Sequence, residues 1–416
     1  METWMNDVPQ AIVQTQRALR ESVPDLGGRF RRLSEALNDE VSAIRAEQGG
    51  GGAVPEIGFA DLAAGAVSAE QVARIKRRGC VVVRGVFERA QVNDWNAQAS
   101  RYIDEVRYLE RMKDKAGLDK YFSTLASSRP QIYSLYWSQP QMQARQHPNQ
   151  ATTRAWLNRL WTFEKNGQRF FDPDRQFNYA DRIRRREPGD ATLGLSPHSD
   201  GGSVERWCEP SFRRMYREVF EGDPLAFDPF DAEHRIATKE IPSPAVCSAF
   251  RTFQGWTALT RQGPGDGTLR LVPLAKTTPW MLLRALQDDV PEGDLCGAQA
   301  GRALGASAKW HGPLLEGLVS IPQMEPGDTI FWHSDVIHAV EDKHGGSGYS
   351  NVIYIGAAPW CEKNEAFAKK QAAAFLEGRS SPDFAPEDYE FGFAGRATPD
   401  DLSPLGQMQM GLRPWN

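Results

Sequence analysis

From Phe177 to about residue 360 the chain is written as short strand-like runs cut by tight turns. NYADRIRRR is closed by PGD, SVERW follows, and SAFRTFQGWTAL ends at GPGDG. TLRLVPL comes next, EPGD opens TIFWHSDVIHAV, and SNVIYIGAAP closes the series. Short apolar and aromatic runs between Gly, Pro and Asp turns predict strands that close on one another as a sandwich or barrel. The 37 glycines, 27 prolines and 12 tryptophans of the chain suit that reading better than a helical bundle.

Helical patterns flank and interrupt this region. Leu33, Leu37, Val41 and Ile44 recur at helical spacing within residues 8–47, which read as helical. The glycines at 49–52 then read as a flexible connector, because a phosphate loop would need a lysine and a hydroxyl residue directly after them. Ser68 with Gln71 predicts a capping box opening a helix that Gly79 ends, before the strand CVVVRGVF. Lys76, Arg77 and Arg78 read as its solvated last turn. Residues 90–165 read as mainly helical scaffold, with Tyr136, Trp137, Trp156 and Trp161 in the core. Helical inserts are expected at 209–245 and 279–320, and a C-terminal helix through AFAKKQAAAFLEG should stop at Gly378.

At roughly 150 residues per domain, 416 residues allow two or three domains. The pattern instead predicts one domain over 1–416: a helical extension and linker (1–52), a helical scaffold with an early strand (53–176), a β core (177–360), and a C-terminal helix and tail (361–416). A net charge of −5 argues against a broad nucleic-acid or anionic-membrane surface. No run approaches the roughly 20 apolar residues of a membrane span, and METWMNDVPQ has no signal-peptide pattern. The five scattered cysteines, without a CxxC pair, fit reduced thiols in a cytoplasm. Oligomeric state leaves no mark in the sequence.

The sharpest chemical signal is His198 and Asp200 in PHSDGG. Residues i and i+2 at a strand end point the same way, and an imidazole with a carboxylate suits Fe(II), Mn(II) or Zn(II). A 2-His-1-carboxylate facial triad needs one more histidine. TIFWHSDVIHAV offers His333 and His338, which face opposite sides if that strand is unbroken. His338, near the strand end, is the preferred ligand, and His333 reads as a supporting or core histidine.

IKRRGCVVVRGVF, PHSD, GWTALTRQGPGDGTLRLVPL and PGDTIFWHSDVIHAV together resemble Fe(II)- and 2-oxoglutarate-dependent dioxygenases of the phytanoyl-CoA hydroxylase-like type. RIRRREPG, HSDGG, ERW, FRTFQGWTAL, WHSDVIH and NVIYIGAAPWCEKN resemble, more closely, the YbiU-like family. The resemblance implies an α+β fold with a double-stranded β-helix (jelly-roll) core. It also implies Fe(II) held by His198, Asp200 and His338, and hydroxylation coupled to oxidative decarboxylation of 2-oxoglutarate by dioxygen.

One element of the dioxygenase pattern is missing. These enzymes usually carry an Arg or Lys a short way after the distal His, pairing with the far carboxylate of 2-oxoglutarate, whereas HGGSGYSNVIY has no Arg. Lys343 comes too early; Asn351 stands near the right place but is uncharged. In the implied fold the first core strand lies beside the last, so an arginine of RIRRR could substitute. Alternation puts Arg182, Arg184 and Arg186 on one face, and Arg184 is the first choice, with Arg182 beside it. Arg251 is a second source. The resemblance places Trp256 near the cosubstrate, which puts Gln254 and Thr252 inward and turns Arg251 outward unless a bulge intervenes. Glu205, Arg206 and Trp207 are expected to brace the site, and Asp172, Asp174 and His311 to be structural.

The expected activity is hydroxylation of a small anionic molecule, carboxylated or phosphorylated. The alternatives are a cupin-like metalloenzyme that does not use 2-oxoglutarate, and a non-catalytic small-molecule binding or sensor protein.

Overall fold

In the computed structural model, residues 3–48, 52–114, 130–191 and 196–415 are described. The fold is mixed α and β, with two principal sheets. The larger has seven strands in the order Glu56–Gly58, Cys80–Arg84, Thr329–Trp332, Gln254–Ala258, Ser350–Tyr354, Ile183–Arg186 and Ile132–Tyr133. The smaller has five: Leu304–Gly305, His198–Ser199, His338–Val340, Leu269–Leu271 and Val319–Ser320. The pairings of each are antiparallel apart from the outermost one, Glu56–Gly58 with Cys80–Arg84.

Strand alternation explains how the large sheet is buried on both sides. Val82, Ile330, Trp332, Trp256 and Val352 join Leu269, Leu271 and Val319 of the small sheet in one core. Val81, Val83, Phe331 and Ile353 join a second core with Ile75, Trp95 and Leu157 of the scaffold helices. Both faces of a strand such as CVVVR are therefore apolar. The capping box is present, with Ser68 and Gln71 bonded reciprocally, and Gly79 ends that helix at φ 65°. Leu33, Leu37, Val41 and Ile44 are buried as expected, and helix Glu362–Glu377 stops at left-handed Gly378.

Several expectations are corrected. The helical stretch 8–47 is two helices, Val8–Ser22 and Leu26–Gln48, broken where Pro24 has no N–H to donate and Asp25 takes φ 46°. Arg78 is buried and paired with Glu40 and Glu47, so the basic turn is solvated only in part. SVERW is not a strand; its last three residues open helix Glu205–Cys208, because Gly201 and Gly202 at φ 90° and 91° turn the chain back. TIFWHSDVIHAV is two strands that belong to different sheets. The 279–320 insert supplies two strands of the small sheet as well as helices. The connector glycines 49–51 and part of the 90–165 scaffold (115–129) lie outside the described residues.

Candidate metal centre

His198 and His338 are directly paired residues on neighbouring antiparallel strands of the small sheet. Their rings stand 4.3 Å apart between centroids. Asp200 leaves the end of the first of these strands and turns its carboxylate between them. Its Oδ1 is 3.5 Å from His198 Nε2 and its Oδ2 is 3.9 Å from His338 Nε2. One donor atom from each of the three residues falls within 4.8 Å of the others, a spacing that could hold a metal ion.

The backbone sets which ring nitrogens point inward. His198 Nδ1 lies 2.7 Å from the Ser196 carbonyl and His338 Nδ1 lies 3.2 Å from that of Val336. A carbonyl only accepts, so each Nδ1 carries the proton and each Nε2 presents its lone pair to the shared space. Burial, reinforced by His198, pulls the His338 imidazole below its ordinary value and so favours the neutral ring. Burial pushes the Asp200 carboxyl up, but His338, His198, Arg251 and the Gln254 amide outweigh it and hold the group below its usual range.

A second layer fixes the backbone of this turn. Arg206 donates to the Asp200 carbonyl at 2.7 Å and to the Gly202 carbonyl at 3.1 Å. Its guanidinium also meets Asp335 Oδ1 at 2.9 Å, while Arg235 takes Oδ2 at 2.9 Å. Glu205 accepts the N–H groups of Ser203 and Ile241, and Trp207 donates to the Leu282 carbonyl. The ERW segment thus braces the turn. His333 takes no part in the cluster. It stacks on Trp161, donates from Nε2 to the Pro229 carbonyl, and accepts the Asp335 N–H at Nδ1. The break in the strand after Trp332 lets His338 enter the other sheet while His333 stays in the core. His311 accepts the Ser307 N–H, Asp172 that of Asp174, and Asp174 pairs with Arg159, so all three are structural.

The cluster lies in the wall of an open cavity. Gln254, Trp256, Arg184, Arg182 and Arg251 line it as well. Gln254 donates from Nε2 to Asp200 Oδ2. Arg184 is 3% exposed and donates from Nη2 to the Gly267 carbonyl. Burial lowers its pKa, with Tyr354 and Glu341 opposing. Arg186 is on the same strand face but is consumed by the carbonyls of Gly267, Glu341 and Asp190. Arg182 pairs with Asp181 and lies over the Phe384 ring.

Two sequence expectations fail on parity. Asn351 is opposite Arg185 in the strand pair and turns outward, where its Nδ2 donates to Asn96 Oδ1. It is therefore no part of the cavity. Thr252 turns away to Asn158, whereas Arg251 faces the cavity. The regular strand begins only at Gln254, so alternation does not extend back to these two. Tyr354, two residues beyond Val352 and on its face, is a lining residue that strand parity would have found. Tyr179, Asp383 and Phe384 also line the cavity, and the last two come from the C-terminal tail, which carries no sequence signal for it.

Two sheets on one core carry a His–Asp–His cluster that could hold a metal ion and that opens to a cavity. The Gig2-like family model matches residues 6–412, and the chain belongs to that family. It is 45% identical to the uncharacterized protein YbiU of Escherichia coli (strain K12), over 99% of this chain and 98% of that one. Among solved structures it is similar to the "Putative Oxidoreductase" from Salmonella typhimurium LT2, with TM-score 0.92, 43% identity, and 99% and 98% of the two chains covered. It is also similar to the GlcNAc Inducible Gene 2 protein from Candida albicans, with TM-score 0.79, 27% identity, and 97% and 90% covered.

Proposed function

We propose that this protein is an Fe(II)- and 2-oxoglutarate-dependent dioxygenase that hydroxylates a small anionic molecule, and that its two sheets form a double-stranded β-helix in one catalytic domain. The observation that carries this reading is the convergence of two Nε2 lone pairs and one carboxylate on a cavity that also holds a buried arginine. The donor set fits Fe(II): two neutral imidazoles with fixed tautomers and one ionised carboxylate. His198, Asp200 and His338 would be its ligands. The similarity to the Salmonella typhimurium "Putative Oxidoreductase" agrees with redox chemistry.

When bound, the iron and 2-oxoglutarate supply the oxidation: one oxygen atom of O₂ enters the substrate C–H bond as hydroxyl, the other enters succinate, and CO₂ leaves. The protein's own residues orient and exclude. Gln254 and Arg206 hold Asp200 from its side chain and its backbone. Arg184 supplies the cation that binds the far carboxylate of 2-oxoglutarate, with Arg182 and Trp256 beside it. The partner is a small molecule rather than nucleic acid or membrane, since the cluster opens into a cavity and not onto a surface. Among the described residues no helix is long and apolar enough to cross a membrane. The five unpaired cysteines fit a reducing cytoplasm.

Anaerobic titration of the Fe(II) protein with 2-oxoglutarate tests this directly. A visible charge-transfer band, with succinate release once air and a metabolite panel are added, is the expected result. Metal binding without the band would make the protein a cupin-like metalloenzyme that does not use 2-oxoglutarate. Failure to bind metal would leave a binding or sensor protein.

A further inference from the structure

Arg251 differs from the other buried arginines around the metal centre. Arg206 donates to two carbonyls and a carboxylate, and Arg186 to three carbonyls. Arg251 makes no hydrogen bond among the described residues. Its guanidinium lies over the Tyr179 ring, 4.7 Å from the centroid, in the cavity wall. The nearest carboxylate oxygen is Asp200 Oδ2 at 3.8 Å, in ion-pair range but beyond a hydrogen bond, and that oxygen already accepts from Gln254. The side chain is only 13% exposed. Its five N–H donors are thus held in a largely buried wall with no protein acceptor at hydrogen-bond distance among the described residues.

We infer that Arg251 is the seat for an anionic group of the substrate itself, separate from the cosubstrate seat at Arg184, and that the substrate is a compact molecule with a terminal carboxylate or phosphate. The assignment of Arg184 rests on the dioxygenase reading; the anion site at Arg251 does not. A guanidinium fork matches either anion with two parallel bonds. Asp181 and Asp383 line the same cavity and disfavour an anion near them. Asp383 accepts from the Ser248 N–H and hydroxyl, and it can equally accept from a hydroxyl or ammonium of a bound molecule. Because Arg251 adjoins Asp200, an anion held there keeps its neighbouring carbons beside the metal centre. The carbon that is oxidised therefore lies close to the anionic group.

Calorimetry on the full chain tests this with inorganic phosphate and succinate as probes of the metal-free protein, and 2-oxoglutarate as probe of the Mn(II)-loaded protein. Arg251→Gln should weaken the better-bound probe by roughly 10- to 100-fold, the loss of a charge-assisted pair, with Arg251→Lys between it and wild type. 2-Oxoglutarate binding should change little in Arg251→Gln and fall in Arg184→Gln. Wild-type protein saturated with Mn(II) and 2-oxoglutarate should still bind the anion, a result that does not depend on any variant folding. Competition between the two ligands, loss of 2-oxoglutarate binding in Arg251→Gln, or no anion binding by wild type would overturn the inference. If Mn(II) protein ignores 2-oxoglutarate while Arg251 still governs phosphate or succinate, the dioxygenase reading fails and the anion site stands.

Discussion

Val352 and Arg184 are directly opposite each other across an antiparallel strand pair. Val352 is on the strand that follows His338, the region where the dioxygenases that the sequence resembles usually carry an Arg or Lys. Arg184 reaches the same cavity from the neighbouring strand. Paired residues share a face of the sheet, so a charge can move between strands without leaving the site. Asn351, one residue away, is on the wrong face.

His198→Ala and His338→Ala should each weaken Fe(II) or Co(II) binding by more than roughly 100-fold, beyond what the loss of an outer contact causes. Anaerobic metal titration reads this without any knowledge of the substrate. Tight binding by either variant would remove that histidine from the centre.

Asp335→Asn should cost about 3–5 kcal/mol of stability, because Arg206 and Arg235 would share a neutral partner in a buried setting. Metal affinity should fall too, since Arg206 holds the Asp200 carbonyl. Denaturant unfolding of the apo protein and a metal titration measure the two effects. Stability within about 1 kcal/mol of wild type, the range of a surface pair, would count against the role of this buried pairing.

Stability should fall as the solution is acidified from pH 6.5 towards 3 through His333. Burial pulls this imidazole from 6.5 to about 3, with Asp335 opposing and Arg235 assisting. Its folded pKa is depressed, so in that window the unfolded chain binds the extra proton and each unit of acidification costs up to about 1.4 kcal/mol. The hydrogen bonds give the reason: Nδ1 accepts the Asp335 N–H and cannot also carry a proton. Unfolding midpoints measured against pH, compared with His333→Gln, should show a shallower slope in the variant.

Gly79→Ala should destabilise by about 1–3 kcal/mol. Gly79 has φ 65°, and a Cβ there would lie 2.7 Å from Val336 Cγ2. Val336 accepts the His338 Nδ1 proton, so the variant should also loosen metal binding. An unchanged melting temperature would show that the contact relaxes freely.

The two histidines and the aspartate were legible because their signal is local: an HxD at a strand end, and a histidine in the next strand-like run after a turn, although His338 opens a new strand and does not end the one begun at Thr329. The capping box at Ser68, the stop at Gly79 and the helix ending at Gly378 were legible for the same reason, since caps and turns depend on neighbouring residues. Assigning the arginines needed more than residue identity. Arg182, Arg184, Arg186 and Arg251 look alike in sequence, yet Arg186 is spent on carbonyls while the other three line the cavity, and of those Arg182 is paired with Asp181.

What the sequence by itself determined was the candidate donor set and the caps that bound individual helices, because these follow from residue identity and short-range backbone geometry. Tertiary structure alone decided which arginine donors stay unpaired, that His333 packs in the core while His338 joins the cluster, and that the C-terminal tail brings Asp383 into the cavity wall. Each of those depends on where a strand starts or breaks and on which distant groups meet there. One residue of shift moves a side chain to the opposite face of a sheet.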